Sequence, residues 1–463
     1  MDHKMLTRTT TTAASASKQL KVLIVGYVWP ELTSSAAGLR DWNLVKSFQK
    51  QQWQVLYSSQ AKENQFSSQL KSEGVTAVRH ASNDSQFDEF IKKEKPDFVV
   101  FDRYVTEEQF GWRVREWSPD TVQVLDTQDL HFLRKQREIA HNDGIESLDS
   151  IAKGNIDLVG ETTLRELASI HRCDCTILIS DFEFQLLTRK FQVPSSMLHV
   201  SRLSYEPSGG EFKSFEKRTK DFCMIGNFRH APNYDATLWL KNKIWPSIRE
   251  KLPEAEVDIY GAYPPKEIMN LSNAAEGFNV RGPVKDHISM FKKYRINLAP
   301  LRFGAGIKGK ISDGWFCGTP AVSTPIGAEG MTDCFPFGGA VSAFSDIPTN
   351  LKNDGTDENA NNFAAEAVSL YLDKKKWTEN QRRGGDIINN LYSHEINTRA
   401  LINRMMHTKD NLHQIRKSNL MGSILNYQLN RGTKYFSQWI EEKNKNKILS
   451  KDLSKERSTE PKD

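Results

Sequence analysis

Pro300-Leu-Arg-Phe-Gly-Ala-Gly-Ile-Lys-Gly-Lys-Ile-Ser-Asp313 leaves an apolar run at 296–301 that reads as a strand, and it enters a short helical stretch closed by Gly318 and Pro320. Three glycines, Gly304, Gly306 and Gly309, let the backbone turn tightly and bring its N–H groups against a ligand. Arg302, Lys308 and Lys310 place three positive charges within nine residues. A strand, a glycine-rich turn and a helix N-terminus together attract an anion, because unsatisfied amides and the helix dipole both favour negative charge. The plainer alternative is a solvated basic turn whose glycines serve geometry alone. Against it, three glycines weaken a connection that ordinary turn residues make, and the charge is concentrated where a ligand would lie. The spacing does not match GxxxxGK[ST], so an ATPase-type phosphate loop is not indicated.

Outward from this stretch, short β-branched apolar runs alternate with helical patterns, the signature of a mostly parallel sheet in an α/β fold. Strands are expected at 21–26, 54–59, 98–103, 122–127 and 175–180, and again at 221–226, 256–261, 296–301 and 320–324. Helices are expected at 39–50 and 180–191, and beyond residue 361 at 363–373, 381–392 and 396–415. The alternation fails around Pro207-Ser-Gly-Gly210 and the charged residues after it. The expected organisation is a disordered leader (1–19), a Rossmann-like acceptor domain (20–203), a linker (204–220) and a Rossmann-like donor domain (221–385). Helices at 386–440 cross back to the first domain, and a charged tail, disordered or a frayed helix, occupies 441–463. Ligands of such sheets sit at the carboxyl ends of the strands, in the cleft between two facing domains.

With 38% hydrophobic and 26% charged residues among 463, the chain has apolar material for two cores. Its formal charge of +5 suits an anionic small ligand and admits weak peripheral contact with the inner face of a membrane, without implying nucleic acid. The five cysteines, Cys173, Cys175, Cys223, Cys317 and Cys334, have no zinc spacing and read as buried free thiols in a reducing compartment. No apolar run reaches the length of a membrane span, and the start of the chain lacks the apolar centre of a secretory signal, so a cytoplasmic protein is expected. Arg8 and Lys18 among hydroxyl residues leave a transit peptide open as the alternative to a disordered leader.

Residues 302–331, with GAGIKGKISDGW, GTPAVSTP and IGAEGM, resemble the donor-binding core of glycosyltransferase family 4 and related retaining enzymes of the GT-B fold. Gly226-Asn-Phe-Arg-His-Ala-Pro-Asn233 resembles the first loop of that donor domain, followed in order by Trp239, Trp245-Pro and Leu252-Pro. In the first half, residues 30–40 with Ala37-Gly38, Asp126-Thr-Gln-Asp-Leu-His131 and Ser180-Asp-Phe-Glu183 resemble the acceptor-domain pattern. The resemblance implies a metal-independent transfer of sugar from a nucleoside diphosphate sugar, used as co-substrate with no resident cofactor. The acceptor would be a glycan, a lipid-linked sugar or a small molecule. It places Lys308, with Arg302 or Arg229, at the donor diphosphate, and the donor against Gly304, Ala305, Gly306, Ile307 and Lys310, with Gly38 on the opposite side. Asp313 stands where the family has the second glutamate of its E-x7-E motif, held to bind ribose. Ala305 stands where the first acid would be, so backbone amides or Glu329 would have to meet the sugar.

His131 follows a strand at the end of the sheet where ligands collect, and resembles the family's cleft histidine; hydrogen bonding to sugar or acceptor and a structural bond to Asp126 or Asp129 are equally open. Asp129 is an acceptor-side candidate or a helix cap, and Arg40 is a second acceptor-side candidate beside the small residues Ser34, Ser35 and Ala36. Tyr27 and Trp29 would line an acceptor site or pack on the sheet. No HxxxH, clustered carboxylates or DxD triplet occurs, so no metal is expected. Charge building on the leaving diphosphate would be met by fixed amides, Lys308 and Arg302. A nucleotide-sugar epimerase, and a catalytically silent nucleotide-sugar-binding protein suggested by Ala305, are the competing functions.

Overall fold

The computed structural model describes residues 19–31, 36–144, 156–207, 211–344 and 357–458. The expected leader up to residue 18, together with Ser34, Ser35 and Ser208-Gly-Gly210, lies outside the described residues. Two parallel sheets form. The first contains β1 (Lys21–Gly26), β2 (Gln54–Ser59), β3 (Thr76–Arg79), β4 (Phe98–Asp102), β5 (Val122–Asp126), β6 (Cys175–Leu178) and β7 (Leu198–Val200). The second contains β8 (Lys220–Ile225), β9 (Val257–Tyr260), β10 (Phe278–Gly282), β11 (Tyr294–Ala299), β12 (Ala321–Ser323) and β13 (Gly339–Val341).

The strand orders are β3-β2-β1-β4-β5-β6-β7 and β10-β9-β8-β11-β12-β13, so each sheet turns back at its first strand, which is the doubly wound Rossmann pattern. Register sets apolar side chains beside one another: Val22 lies opposite Val55 and Phe98, and Phe222 opposite Ile296. The nine strands expected from sequence are the nine interior ones. The four not expected, β3, β7, β10 and β13, are the four edges.

Helices cover both faces of the first sheet, where Val22, Ile24 and Phe98 anchor one core and Leu23, Val25 and Val99 another. The helix His394–Asp410 belongs to this first domain, because Leu401 and Met405 are buried in the core that holds Val22 and Phe98. Lys409 Nζ reaches Asp97 at 2.9 Å, and Arg416 holds Asp174 at 2.8 Å. The chain then continues as one helix, Leu420–Ser458, where the sequence suggests a disordered or frayed tail from residue 441. Polar contacts hold this helix to the first domain as far as residue 441: Ser437 Oγ accepts from Arg113, Glu441 accepts from Ser85 at 2.7 Å, and Lys434 pairs with Glu116. Four cysteines are buried as expected, but Cys334 is exposed. Among the described residues, no helix is long and apolar enough to cross a membrane.

Candidate active site at the carboxyl ends of the two sheets

The glycine-rich turn leaves the carboxyl end of β11 and ends at the helix Gly309–Phe316, with Lys308 at the N-cap position. Gly304 and Gly306 take φ values of 143° and 67°, which a side chain would resist. Gly306 also lies against the first domain, since a methyl group there would sit 2.7 Å from the Cβ of Asp129. Ile307 packs in a core shared with Ile179 of the first domain, and Ala305 packs against that domain's second core. Among the described residues, none accepts a hydrogen bond from the backbone N–H of Gly304, Ala305, Gly306 or Ile307. Gly304, Gly306 and Ile307 are nonetheless buried. Buried amides without acceptors are costly, and an anionic ligand satisfies them.

The cations of this stretch divide into two kinds. Lys308 is buried, with its Nζ 2.6 Å from the carbonyl of Gly306, and burial lowers its pKa to about 8 against the pull of Glu329. Lys310 donates to Asn233 Oδ1 at 2.5 Å, which ties the turn to the loop Gly226–Asn233, and burial, then the neighbouring Lys308, lowers it to about 7. Neither lysine is ion-paired among the described residues, so both can respond to an incoming diphosphate. Arg302, by contrast, forks onto Asp235, with Nε at 3.0 Å, and lies 5.4 Å from the Trp239 ring. His141 shares the same carboxylate at 3.4 Å. Arg229 is exposed and stacks 3.5 Å above Tyr263. The structure therefore assigns the open cationic positions to Lys308 and Lys310, and holds Arg302 and Arg229 in contacts of their own.

Asp313 is half-buried and accepts from the Tyr205 hydroxyl at 2.7 Å, with His287 Nε2 3.5 Å away. Burial raises its pKa, opposed by His287 and by the Tyr205 hydrogen bond. Glu329 is not free to meet a sugar alone: Arg137 holds both of its oxygens at 2.8 Å and also donates to the carbonyl of Gly304 at 2.8 Å. Arg137 is 1% exposed and comes from the helix His131–Asn142 of the first domain, so it clamps the donor turn across the domain boundary. Sequence reading missed it. An arginine four residues after Leu133, on the buried face of an amphipathic helix, is the signal that was there to be read.

On the first-domain side, Asp129 accepts from Arg134 at 2.6 Å and lies 3.2 Å from His131 Nε2. Burial opposes its ionisation, but Arg134, His131, Arg103 and His230 together lower its pKa. Burial also lowers the His131 imidazole to about 4, against Asp129, so near neutral pH the ring is uncharged and acts as a hydrogen-bonding group. Two buried glutamates position this corner. Glu166 accepts from the His131 and Phe132 amides, and Glu183 accepts from the Leu130 amide at 3.0 Å. Burial pushes Glu183 up to about 8, the Asp129 charge adding to the effect, so it is a neutral acid near pH 7.

Arg40, an acceptor-side candidate from sequence, occupies a scaffold position instead. It is 3% exposed, forks onto Asp126 at 2.8 Å and donates to the Ser201 carbonyl. Gly38 is required by packing, because a methyl there would meet the Glu31 carbonyl oxygen at 2.3 Å. Trp29 is buried, whereas Tyr27 is exposed with Arg103 5.6 Å above its ring. Arg103 and Gln128 follow the adjacent strands β4 and β5 with φ of 70° and 64°, a conformation non-glycine residues adopt at a cost of about 1–3 kcal/mol. Among the described residues, no group of three or more histidine, cysteine or acidic side chains is arranged to hold a metal ion.

Residues 219–347 match the family profile described as Glycosyl transferases group 1. No match is found among curated proteins. Similar solved structures include a glycosyltransferase from Rickettsia africae, at 12% identity and a TM-score of 0.59, covering 85% of this chain and 100% of that one. Anabaena HepE in complex with UDP and glucose aligns at 10% identity and a TM-score of 0.60, covering 84% and 100%. Sucrose-phosphate synthase from Thermosynechococcus elongatus aligns at 12% identity and a TM-score of 0.61, covering 87% and 100%. With the matched segment in its second domain and the donor turn seated between two Rossmann-like sheets, the chain is a glycosyltransferase of the GT-B fold.

Proposed function

We propose that the chain moves a sugar from a nucleoside diphosphate sugar to the hydroxyl of a glycan, lipid-linked sugar or small acceptor, with retention of anomeric configuration and without a metal ion. The observation that carries this reading is the run of four amides, from Gly304 to Ile307, that have no acceptor among the described residues, followed by two lysines that have no ion-pair partner among them. Such donors, fixed before the reaction, stabilise charge as it develops on a leaving diphosphate, and removal of one typically costs about 10²–10³ in rate. The Anabaena neighbour's complex with UDP and glucose supports the donor class.

In this reaction the bond between the anomeric carbon and the diphosphate oxygen breaks, and the acceptor oxygen bonds to the same carbon from the same face. The acceptor proton passes to the departing phosphate oxygen. Retention without an enzyme nucleophile is supported by the state of the two carboxylates beside the turn. Asp129 is neutralised by Arg134, and Glu329 by Arg137, so neither is poised to attack carbon. Neutral His131, 3.2 Å from Asp129, is suited to hydrogen-bond sugar or acceptor.

The test incubates the protein with a panel of nucleotide sugars and acceptors and follows the anomeric configuration of the product. Released nucleotide with a retained glycoside, unchanged by a chelator, is the expected result. An epimer without nucleotide release would point to the epimerase alternative, and binding without turnover to a silent protein. An inverted product would remove the same-face mechanism, and loss of rate on chelation would restore a metal.

A further inference from the structure

The helix Leu420–Ser458 has one face with no evident role in holding the fold together. Leu420, Met421, Ile424, Tyr435, Phe436 and Trp439 are 71%, 52%, 47%, 63%, 61% and 56% exposed. At 100° per residue, five of the six fall within about 100° of arc, with Phe436 beside them, over a length of roughly 28 Å. Phe436 stacks on Trp439 with ring centroids 6.0 Å apart. The packed side of the helix lies roughly opposite: a methyl on Gly422 would meet the His171 carbonyl at 2.2 Å, and Ser437 is buried against Arg113 and Asn83. A stripe of this length that mixes aliphatic with large aromatic side chains is more than the scattered apolar exposure of an ordinary surface.

We infer that this face is a docking surface for an anionic phospholipid bilayer, on which the helix lies in the plane of the headgroups. Three observations select that occupant. Tyrosine and tryptophan are the side chains that favour the boundary between headgroups and acyl chains, where an apolar ring and a polar edge are both satisfied. Residues 420–448 carry five basic against two acidic side chains, and Lys443 sits 5.0 Å over the Trp439 ring, so cations border the aromatic end of the stripe. A second copy of the chain is a poorer fit. The heptad that starts at Leu420 and Ile424 reaches Lys434, Gln438, Glu441 and Lys445, so a coiled-coil seam breaks after its first turns. The stripe instead recurs after eleven residues, from Ile424 to Tyr435, which keeps it on one side of a straight helix and suits a flat surface. Since no described helix is apolar enough to span a bilayer, the contact is peripheral.

The test is co-sedimentation of the full chain with vesicles of phosphatidylcholine alone and of phosphatidylcholine mixed equally with phosphatidylglycerol. The wild-type protein is expected to bind the mixed vesicles, and less so as salt rises. The Tyr435→Ser/Phe436→Ser/Trp439→Ser variant is expected to keep its thermal midpoint and to bind on the order of tenfold more weakly. Lys443→Glu is expected to weaken binding to the mixed vesicles only. Failure of the wild-type protein to bind either vesicle, or equal binding by the triple variant, would overturn the inference. So would a dimer in sedimentation that the triple variant abolishes while vesicle binding is absent, since the face would then belong to a second copy.

Discussion

The carboxyl ends of the two sheets meet in one place, yet they are finished in opposite ways. At the end of the first sheet most charged side chains pair with one another: Arg40 forks onto Asp126, Gln128 donates to Asp41, and Tyr57 donates to Asp41 at 2.9 Å, while among the described residues one oxygen each of Asp102 and Glu183 has no donor. At the end of the second, among the described residues, the donor turn leaves four amides without acceptors, and Lys308 and Lys310 make no ion pair, although Glu329 acts on Lys308 from a distance. Both regions bury charge, so burial alone does not mark a binding site. What marks it is the unmet demand, because a fold tolerates costly open donors where a ligand supplies their partners.

Asp126→Ala should break the satisfied end and give the largest effect. Removing one member of a buried pair strands the other, which costs about 3–5 kcal/mol. Chemical denaturation should show that loss, and a variant of native stability would mean that Arg40 finds another partner. Lys310→Ala acts on the open end and should do the reverse, lowering kcat/KM by about 10²–10³ with little change in the midpoint of unfolding, since the half-buried ammonium has no ion pair among the described residues and loses one hydrogen bond to Asn233. If instead stability falls and turnover holds, the lysine serves the fold and the contrast between the two ends is lost.

The smallest effect sharpens the contrast through pH. Burial lowers Lys310 to about 7 and Lys308 to about 8 in the free protein. A bound diphosphate raises both, so binding takes up protons. Affinity is then complete below about pH 7 and falls as pH rises, by up to about tenfold per unit for each lysine. Calorimetric titration with a nucleoside diphosphate on either side of that window checks the sign. An affinity that grows with pH would exclude these ammonium groups as the anion's partners.

The sequence was most legible where burial is two-sided. The interior strands announce themselves by closely spaced apolar residues, continuous in β1 as Val22-Leu-Ile-Val25 and broken by single polar residues in β5, β9 and β11. The edge strands do not, because one flank faces no neighbour: Thr76-Ala-Val-Arg79 and Gly339-Ala-Val341 carry exposed residues and too few apolar ones to stand out. The donor turn was legible from glycines and charge within a single segment. Which of its cations remain open was not, since Asp235 and Tyr263, which engage Arg302 and Arg229, lie far off in sequence. The same reason hid Arg137, 192 residues from the Glu329 it clamps. The last helix was expected to residue 440 and left open as disorder or a frayed helix beyond it, because its anchors, Ser85 and Arg113, are set by tertiary placement and not by its own composition.

The return of the chain to its starting domain bears on how the protein is made. Leu401 and Met405 fill the same core as Val22 and Phe98, so as the polypeptide emerges from the ribosome its first half lacks a piece that is synthesised only after the entire second domain. Domain-by-domain folding from the N-terminus is therefore open to the second domain before it is open to the first. A nascent chain arrested before residue 394 would expose that unfilled core to chaperones, and the donor half would assemble while its partner still waits.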